Sequence, residues 1–130
     1  MDRQKTIAKE VSIEGIGLHT GNAVNITFKP AQVDTGINFI RIDLPSRPVI
    51  KASIENILPQ SRSPRRTSIG CGNTEIHTIE HLMAALAGLD IDNLYIEIDN
   101  DEVPGLDGSS VNFLDILLNA GLKEQTKTRQ

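Results

Sequence analysis

Glu80 and His81 are adjacent residues of complementary chemistry within His77-Thr78-Ile79-Glu80-His81-Leu82-Met83-Ala84-Ala85-Leu86-Ala87-Gly88. Neutral imidazole is the commonest side-chain ligand of zinc, and a neighbouring carboxylate can take a proton from water that the metal acidifies. Metal-assisted hydrolysis is therefore within reach of this pair. A plainer reading is also open, in which His81 is an exposed histidine and Glu80 a first-turn carboxylate favoured by the helix dipole. His77 adds a third reading, because with Glu80 and His81 it completes H-x-x-E-H, the inverted zinc-peptidase signature. In that motif both histidines bind zinc and the glutamate is the base. Against it, Ile76 and the preceding Thr-Glu look extended, which places His77 at or before the helix start, where i, i+4 geometry fails. No well-placed third ligand follows either, apart from carboxylates in residues 100–107.

The pair must be carried by a helix. From Thr78 to Ala87 the apolar residues Ile79, Leu82, Met83 and Leu86 recur at helical spacing, with Gly88 as the terminating residue. Advancing by about 100° per residue from Ile79, Leu82, Met83 and Leu86 fall within about 60° of it, Glu80 about 100° away and His81 about 200° away. The histidine thus points away from the domain's own core. Ala84, Ala85 and Gly88 complete that outer face, and they are small rather than charged. Such a face predicts a second layer, from another domain or subunit, packed closely against it. Alanines as mere good helix formers would give the same pattern.

Around this helix, residues 5–14 are β-prone, Gly15 to Gly21 form a glycine-rich turn, and Val24, Ile26 and Phe28 alternate as in a half-buried strand. Further strands are expected at Ile37 to Ile42 and Val49 to Ile54, then an exposed loop from Leu58 to Arg66 and a short strand pair around Asn73. Leu94, Ile96 and Ile98 mark a strand that enters the acidic loop Asn100 to Gly108. Ser109 or Ser110 can cap a second helix with Val111, Leu114, Leu117 and Leu118 on its apolar face and Gly121 as its stop.

With 38% apolar and 23% charged residues, a chain of 130 residues can bury one core and not two. One α+β domain over residues 1–122 is expected, a two-layer fold with a small mixed or antiparallel sheet packed on helices. Residues 123–130, without an apolar anchor, read as a linker or frayed tail. A net charge of −4 leaves no basic footprint for a phosphate backbone, so nucleic acid is not expected as a partner. The single cysteine, Cys71, excludes an internal disulfide and a thiolate-rich zinc site. The amino terminus lacks the apolar stretch of a signal peptide, and the longest apolar run, Leu82 to Leu89, is too short to span a bilayer. A cytoplasmic setting with no membrane span is the expectation.

Three motifs in register carry a resemblance. Gly15-Ile16-Gly17-Leu18-His19-Thr20-Gly21 is the first. The second is Thr78-Ile79-Glu80-His81-Leu82 with Ala84 to Leu89 and Ile91-Asp92-Asn93, and the third is Pro104-Gly105-Leu106-Asp107-Gly108-Ser109-Ser110. In order and spacing the chain resembles the N-terminal half of the UDP-3-O-acyl-N-acetylglucosamine deacetylase family. That resemblance implies a zinc-dependent amide hydrolase of lipid A synthesis in Gram-negative bacteria, built of two similar α+β domains with the active site between their helical layers. It implies UDP-3-O-acyl-N-acetylglucosamine as substrate, Glu80 as general base and His81 as one of three protein ligands of Zn2+. It also implies that the C-terminal domain docks on the His81/Ala84/Ala85/Gly88 face. The family's other two ligands lie in an H-K-x-x-D motif of its second domain, which this sequence does not contain. The chain alone is therefore expected to be inactive and to bind zinc weakly.

By the same resemblance Asp107 occupies an acidic position near the site, where it can orient a catalytic histidine, although an Asp-Gly turn explains it as well. His19, in the glycine-rich turn, can reach the substrate pocket or be an ordinary turn residue. Arg65 and Arg66 can approach the substrate's diphosphate or form a solvated pair. His77 is not a position the family uses as a ligand, but it can crowd the zinc pocket. Gly15 and Gly17 are not a dinucleotide fingerprint, since Thr20 stands where the third glycine would be. Outside the hydrolase class, the sequence also fits a non-catalytic interaction domain docking through the smooth helical face.

Overall fold

Alternation in Val24, Ile26 and Phe28 becomes a strand in which every second side chain is buried, and the same pattern in Leu94, Ile96 and Ile98 gives its neighbour. The computed structural model describes residues 2–17, 21, 23–58, 67–104 and 111–129. Their elements run β1 (Arg3–Ile7), β2 (Val11–Ile16), β3 (Ala23–Pro30), β4 (Ile37–Arg41), β5 (Val49–Lys51), a 3-10 turn (Ile54–Asn56), β6 (Ser68–Cys71), β7 (Thr74–His77), α1 (Glu80–Gly88), β8 (Leu94–Ile98), α2 (Val111–Ala120) and β9 (Leu122–Thr128). The main sheet has the order β2-β3-β8-β4-β5. Its β4–β8 pairing is parallel and the others antiparallel, so the sheet is mixed and the fold α+β.

One face of the sheet is the core. Ile26 and Phe28 of β3, Leu94, Ile96 and Ile98 of β8 and Phe39 of β4 are fully buried, together with Leu82 and Leu117 from the two helices. Phe28 and Phe113 meet edge to face, with ring centroids 6.5 Å apart and an interplanar angle of 89°. Each such side chain contributes about 1.5–3 kcal/mol through burial. The opposite face is polar. There Ser12 and Thr27 share a hydroxyl hydrogen bond of 2.8 Å, and Lys29 pairs with Glu97 at 3.0 Å.

Several expectations change in detail. The β-prone stretch 5–14 divides, because β1 leaves the main sheet to pair with β9, and Ala8 and Lys9 donate to the carbonyls of Gly121 and Ala120. The tail read as linker or frayed end thus forms a strand over Leu122–Thr128. No apolar side chain anchors it, and none is needed: backbone pairing and polar contacts such as Gln125 Nε2 to the Ala31 carbonyl, 2.8 Å, hold it. β5 stops at Lys51, and the expected continuation to Ile54 turns into the 3-10 segment. The strand pair around Asn73 is β6–β7, with Gly72 at φ +62° in its turn.

Helix α1 ends with Gly88 as its last helical residue, as expected, but the left-handed stop lies two residues further on. Asp90, at φ +57°, reverses the chain, while its N–H donates to Ala87 and that of Ile91 to Leu86. These are the two bonds of a Schellman motif with aspartate in the left-handed place. Gly121, at φ +81°, does stop α2. On α2 the buried stripe is Phe113, Leu117 and Ala120, whereas Leu118 is 53% exposed. No helix among the described residues is long and apolar enough to cross a membrane.

Candidate functional site

β7 runs into α1 through a sharp corner. Thr78 lies at φ +63°, a conformation rare for a β-branched residue, and Ile79 then turns inward to 3% exposure. Glu80 follows as the first residue of α1. Its Oε1 accepts from the backbone N–H of Thr67 at 3.2 Å, and the N–H of Ile79 donates to the Thr67 carbonyl at 3.1 Å. A two-way clasp therefore fixes the helix start against the residue before β6. Oε2 of Glu80 has no partner among the described residues, which leaves it able to accept a proton.

His81 is half-buried on the flank of α1 and has no hydrogen bond or ion pair among the described residues. Ala84 and Gly88 are exposed beside it. Ala85 is not part of that outer face: it is 1% exposed and belongs to the core. The buried arc is rotated towards Ala85, and α2 packs against α1. A side chain added at Gly88 would meet Leu114 of α2 at 4.0 Å. Part of the second layer that the small residues call for is the chain's own second helix. Ala84 and Gly88 remain exposed on the flank. Next to the Glu80 clasp lies an apolar depression of about 230 Å³ lined by Ile57, Thr67, Ile69, Ile79 and Met83 among others.

His77 belongs elsewhere. It ends β7, is 8% exposed, and its Nδ1 lies 2.7 Å from Ser68 Oγ with Nε2 3.4 Å from Glu75 Oε1. Both ring nitrogens are engaged within the fold. Because His77 lies in a strand and Glu80 and His81 in a helix, the H-x-x-E-H residues do not form one helical face, and the peptidase geometry is not present. His19, Arg65, Arg66 and Asp107, as well as the capping serines Ser109 and Ser110, lie outside the described residues.

The supporting contacts around the corner were not marked by any periodicity. Arg41 is 8% exposed, and its fork grips Asp43 at 2.9 and 2.7 Å while Nη1 donates to the Glu75 carbonyl at 2.9 Å. This ties the end of β4 to β7. The guanidinium's hydrogen bonds hold the Asp43 carboxyl below its ordinary value. Glu102 is 1% exposed and accepts from Thr78 Oγ1 at 2.8 Å. The only sequence signal for it is its place beside Val103 in an otherwise acidic, turn-rich loop.

The described residues contain no group of three or more His, Cys, Asp or Glu side chains able to hold a metal ion. His81 fits a metal as a single imidazole donor, open on the outer flank of α1 with a carboxylate beside it. Further donors would have to come from outside the described residues, since structural and catalytic zinc sites need at least three protein ligands.

Residues 4–130 match the family model described as UDP-3-O-acyl N-acetylglycosamine deacetylase. The chain is 48% identical over 126 residues to the bifunctional enzyme LpxC/FabZ of Chlorobaculum tepidum, covering 97% of this chain and 26% of that protein. It is 45% identical to the UDP-3-O-acyl-N-acetylglucosamine deacetylase of Bdellovibrio bacteriovorus and 42% identical to that of Citrifermentans bemidjiense, each over 127 residues. Those two alignments cover 98% of this chain and 41% of each relative. The chain thus spans about two fifths of the length of these deacetylases or less, and matches their N-terminal part.

Proposed function

We propose, since this chain belongs to the UDP-3-O-acyl N-acetylglycosamine deacetylase family, that within the longer protein it supplies the general base Glu80 and one zinc ligand, His81. The reaction is hydrolysis of the acetamide of UDP-3-O-acyl-N-acetylglucosamine to the amine and acetate, in lipid A biosynthesis. One observation carries the assignment of roles: Glu80 is held at the start of α1 by Thr67 through one carboxylate oxygen, with the other unpartnered among the described residues and His81 open beside it. Zinc, when bound, supplies a Lewis acid that polarises the amide carbonyl and acidifies water. Glu80 does the rest that this chain can do. Its free oxygen accepts the proton of the attacking water, and the Thr67 N–H keeps the carboxylate from rotating away.

The remaining zinc ligands and the acid that protonates the leaving amine come from the rest of the longer protein, which docks over the exposed flank of His81, Ala84 and Gly88. The chain by itself is inactive on this reading. The single cysteine and the nucleotide-linked substrate suit a reducing, cytoplasmic setting. The test is Glu80→Ala in the whole protein, assayed for acetate release and for zinc content. Lost turnover with zinc retained supports the assignment, and unchanged turnover overturns it.

A further inference from the structure

We infer that Thr78 and Glu102 are positioning residues for Glu80, acting through the corner between β7 and α1. The inference rests on the reading of Glu80 as the base. Thr78 is held at φ +63° two residues before Glu80, and it is 5% exposed. A β-branched residue keeps a left-handed conformation only where its surroundings over-determine it. Here they do. Its hydroxyl donates to Glu102 Oε2 at 2.8 Å, the N–H of His77 donates to the Asp101 carbonyl at 2.7 Å, and the N–H of Val103 to the His77 carbonyl at 3.1 Å. Residues 101–103 are thereby laid along the end of β7, and Pro104 bridges to Gly17 on the other side.

The consequence is directional. From Thr78 the chain can send Ile79 into the core and start α1 on Glu80 with its carboxylate under the Thr67 N–H. A threonine in a relaxed conformation would aim the first helical turn elsewhere. The buried carboxylate of Glu102 therefore fixes the angle at which the base is presented, without touching the reacting atoms itself.

The test uses the whole protein with four variants, each assayed at a temperature where circular dichroism finds it folded. Thr78→Gly accepts the left-handed φ but lacks the hydroxyl, Thr78→Val keeps the shape without the hydroxyl, and Thr78→Ser keeps the hydroxyl. Glu102→Asp retains the carboxyl group but draws it back by one methylene. The Gly, Val and Asp variants are expected to lose kcat on the order of tenfold to a hundredfold with KM and zinc content little changed. Thr78→Ser is expected to keep the wild-type kcat. Glu102→Asp carries the comparison if Gly or Val fails to fold.

Placed on Glu80→Ala, the same substitutions are expected to cost nothing further, because the effect passes through Glu80. Wild-type kcat in Thr78→Gly and Glu102→Asp, with Glu80→Ala inactive, overturns the positioning role and leaves the base assignment standing. An equal loss in the Glu80→Ala background overturns it as well. Full turnover in Glu80→Ala alone sinks the base assignment first, and the inference with it.

Discussion

The backbone N–H of Thr67 donates to Oε1 of Glu80 at 3.2 Å, joining residues 13 apart in sequence at the mouth of α1. A carboxylate restrained through one oxygen keeps the other in a defined direction, which is the arrangement a general base needs. It also means that Glu80 has a structural partner to lose, so the choice of substitution matters.

Glu80→Gln should therefore be the cleaner variant. It keeps a carbonyl oxygen for the Thr67 N–H but cannot accept a proton at neutral pH. Within the whole protein, turnover should fall by about 10²–10⁴, the usual worth of a general base, with the melting temperature unchanged. Glu80→Ala should lose a similar factor in turnover and in addition loosen the start of α1. Thermal unfolding measured beside acetate release separates the two effects.

His77 and His81 are four residues apart, and their environments predict opposite outcomes. His81→Ala should weaken zinc binding by the whole protein while leaving its stability nearly intact, because the side chain has no polar partner among the described residues. His77→Ala removes one hydrogen bond of Ser68 Oγ in a buried setting, together with the packing of the ring, and should cost about 1–3 kcal/mol of stability with zinc retained. Zinc titration and urea denaturation on both variants check this. Zinc loss in His77→Ala equal to that in His81→Ala would contradict the assignment.

That contrast shows what could be read from the sequence and what could not. The helix and the strands with period-two burial follow from spacing alone, since core side chains must recur with the period of their element. Three features do not. β9 is polar from Lys123 onward and is fixed by backbone pairing to a partner at the far end of the chain, which leaves no local pattern. Ala85 is small enough to suit either a core or a smooth outer face, and only the packing of the folded chain decides. Thr78 is a helix former by context and a corner in fact, because its conformation is imposed by contacts from residues 101–103.

Acid should loosen the chain through Asp34. The hydrogen bond from Lys127 and then that from Gln4 hold its carboxyl below the ordinary value of 3.8. A depressed folded-state pKa means that the native state binds fewer protons than the unfolded state in that range. The stabilisation is then fully present above about 3.8 and is lost as pH falls through the lower folded value. Asp43, depressed by Arg41, acts in the same direction. Urea midpoints followed from neutral pH downward should fall below about pH 4, and Asp34→Asn should show a shallower fall. Because the Lys127 pair is exposed, added salt should shrink the difference. A difference between the two proteins that has already closed above pH 5 would contradict the assignment.

Asn93 should be the most sensitive polar position outside the candidate site. It is 1% exposed, and its amide meets three separate parts of the chain. Oδ1 accepts from the N–H of Gly36 at 2.9 Å, while Nδ2 donates to Gln4 Oε1 at 2.9 Å and to Gln125 Oε1 at 2.7 Å. One side chain thus locks β1, β9 and the turn before β4 to the start of β8. Asn93→Ala takes these hydrogen bonds from the half-buried Gly36 N–H and Gln125 Oε1, while Gln4 Oε1 keeps the N–H of Asp34, and should cost about 1–3 kcal/mol. Asn93→Asp should cost more than Asn93→Ala despite its nearly identical shape. A carboxylate cannot donate, and it would face two amide oxygens that cannot simply rotate away. Gln4 Nε2 is committed to Asp34 and the Thr128 carbonyl, and Gln125 Nε2 to the Ala31 carbonyl. Urea denaturation of the two variants gives the order, and hydrogen exchange should show the amides of β9 losing protection first. Equal stability of Asn93→Asp and the wild type would overturn the clasp.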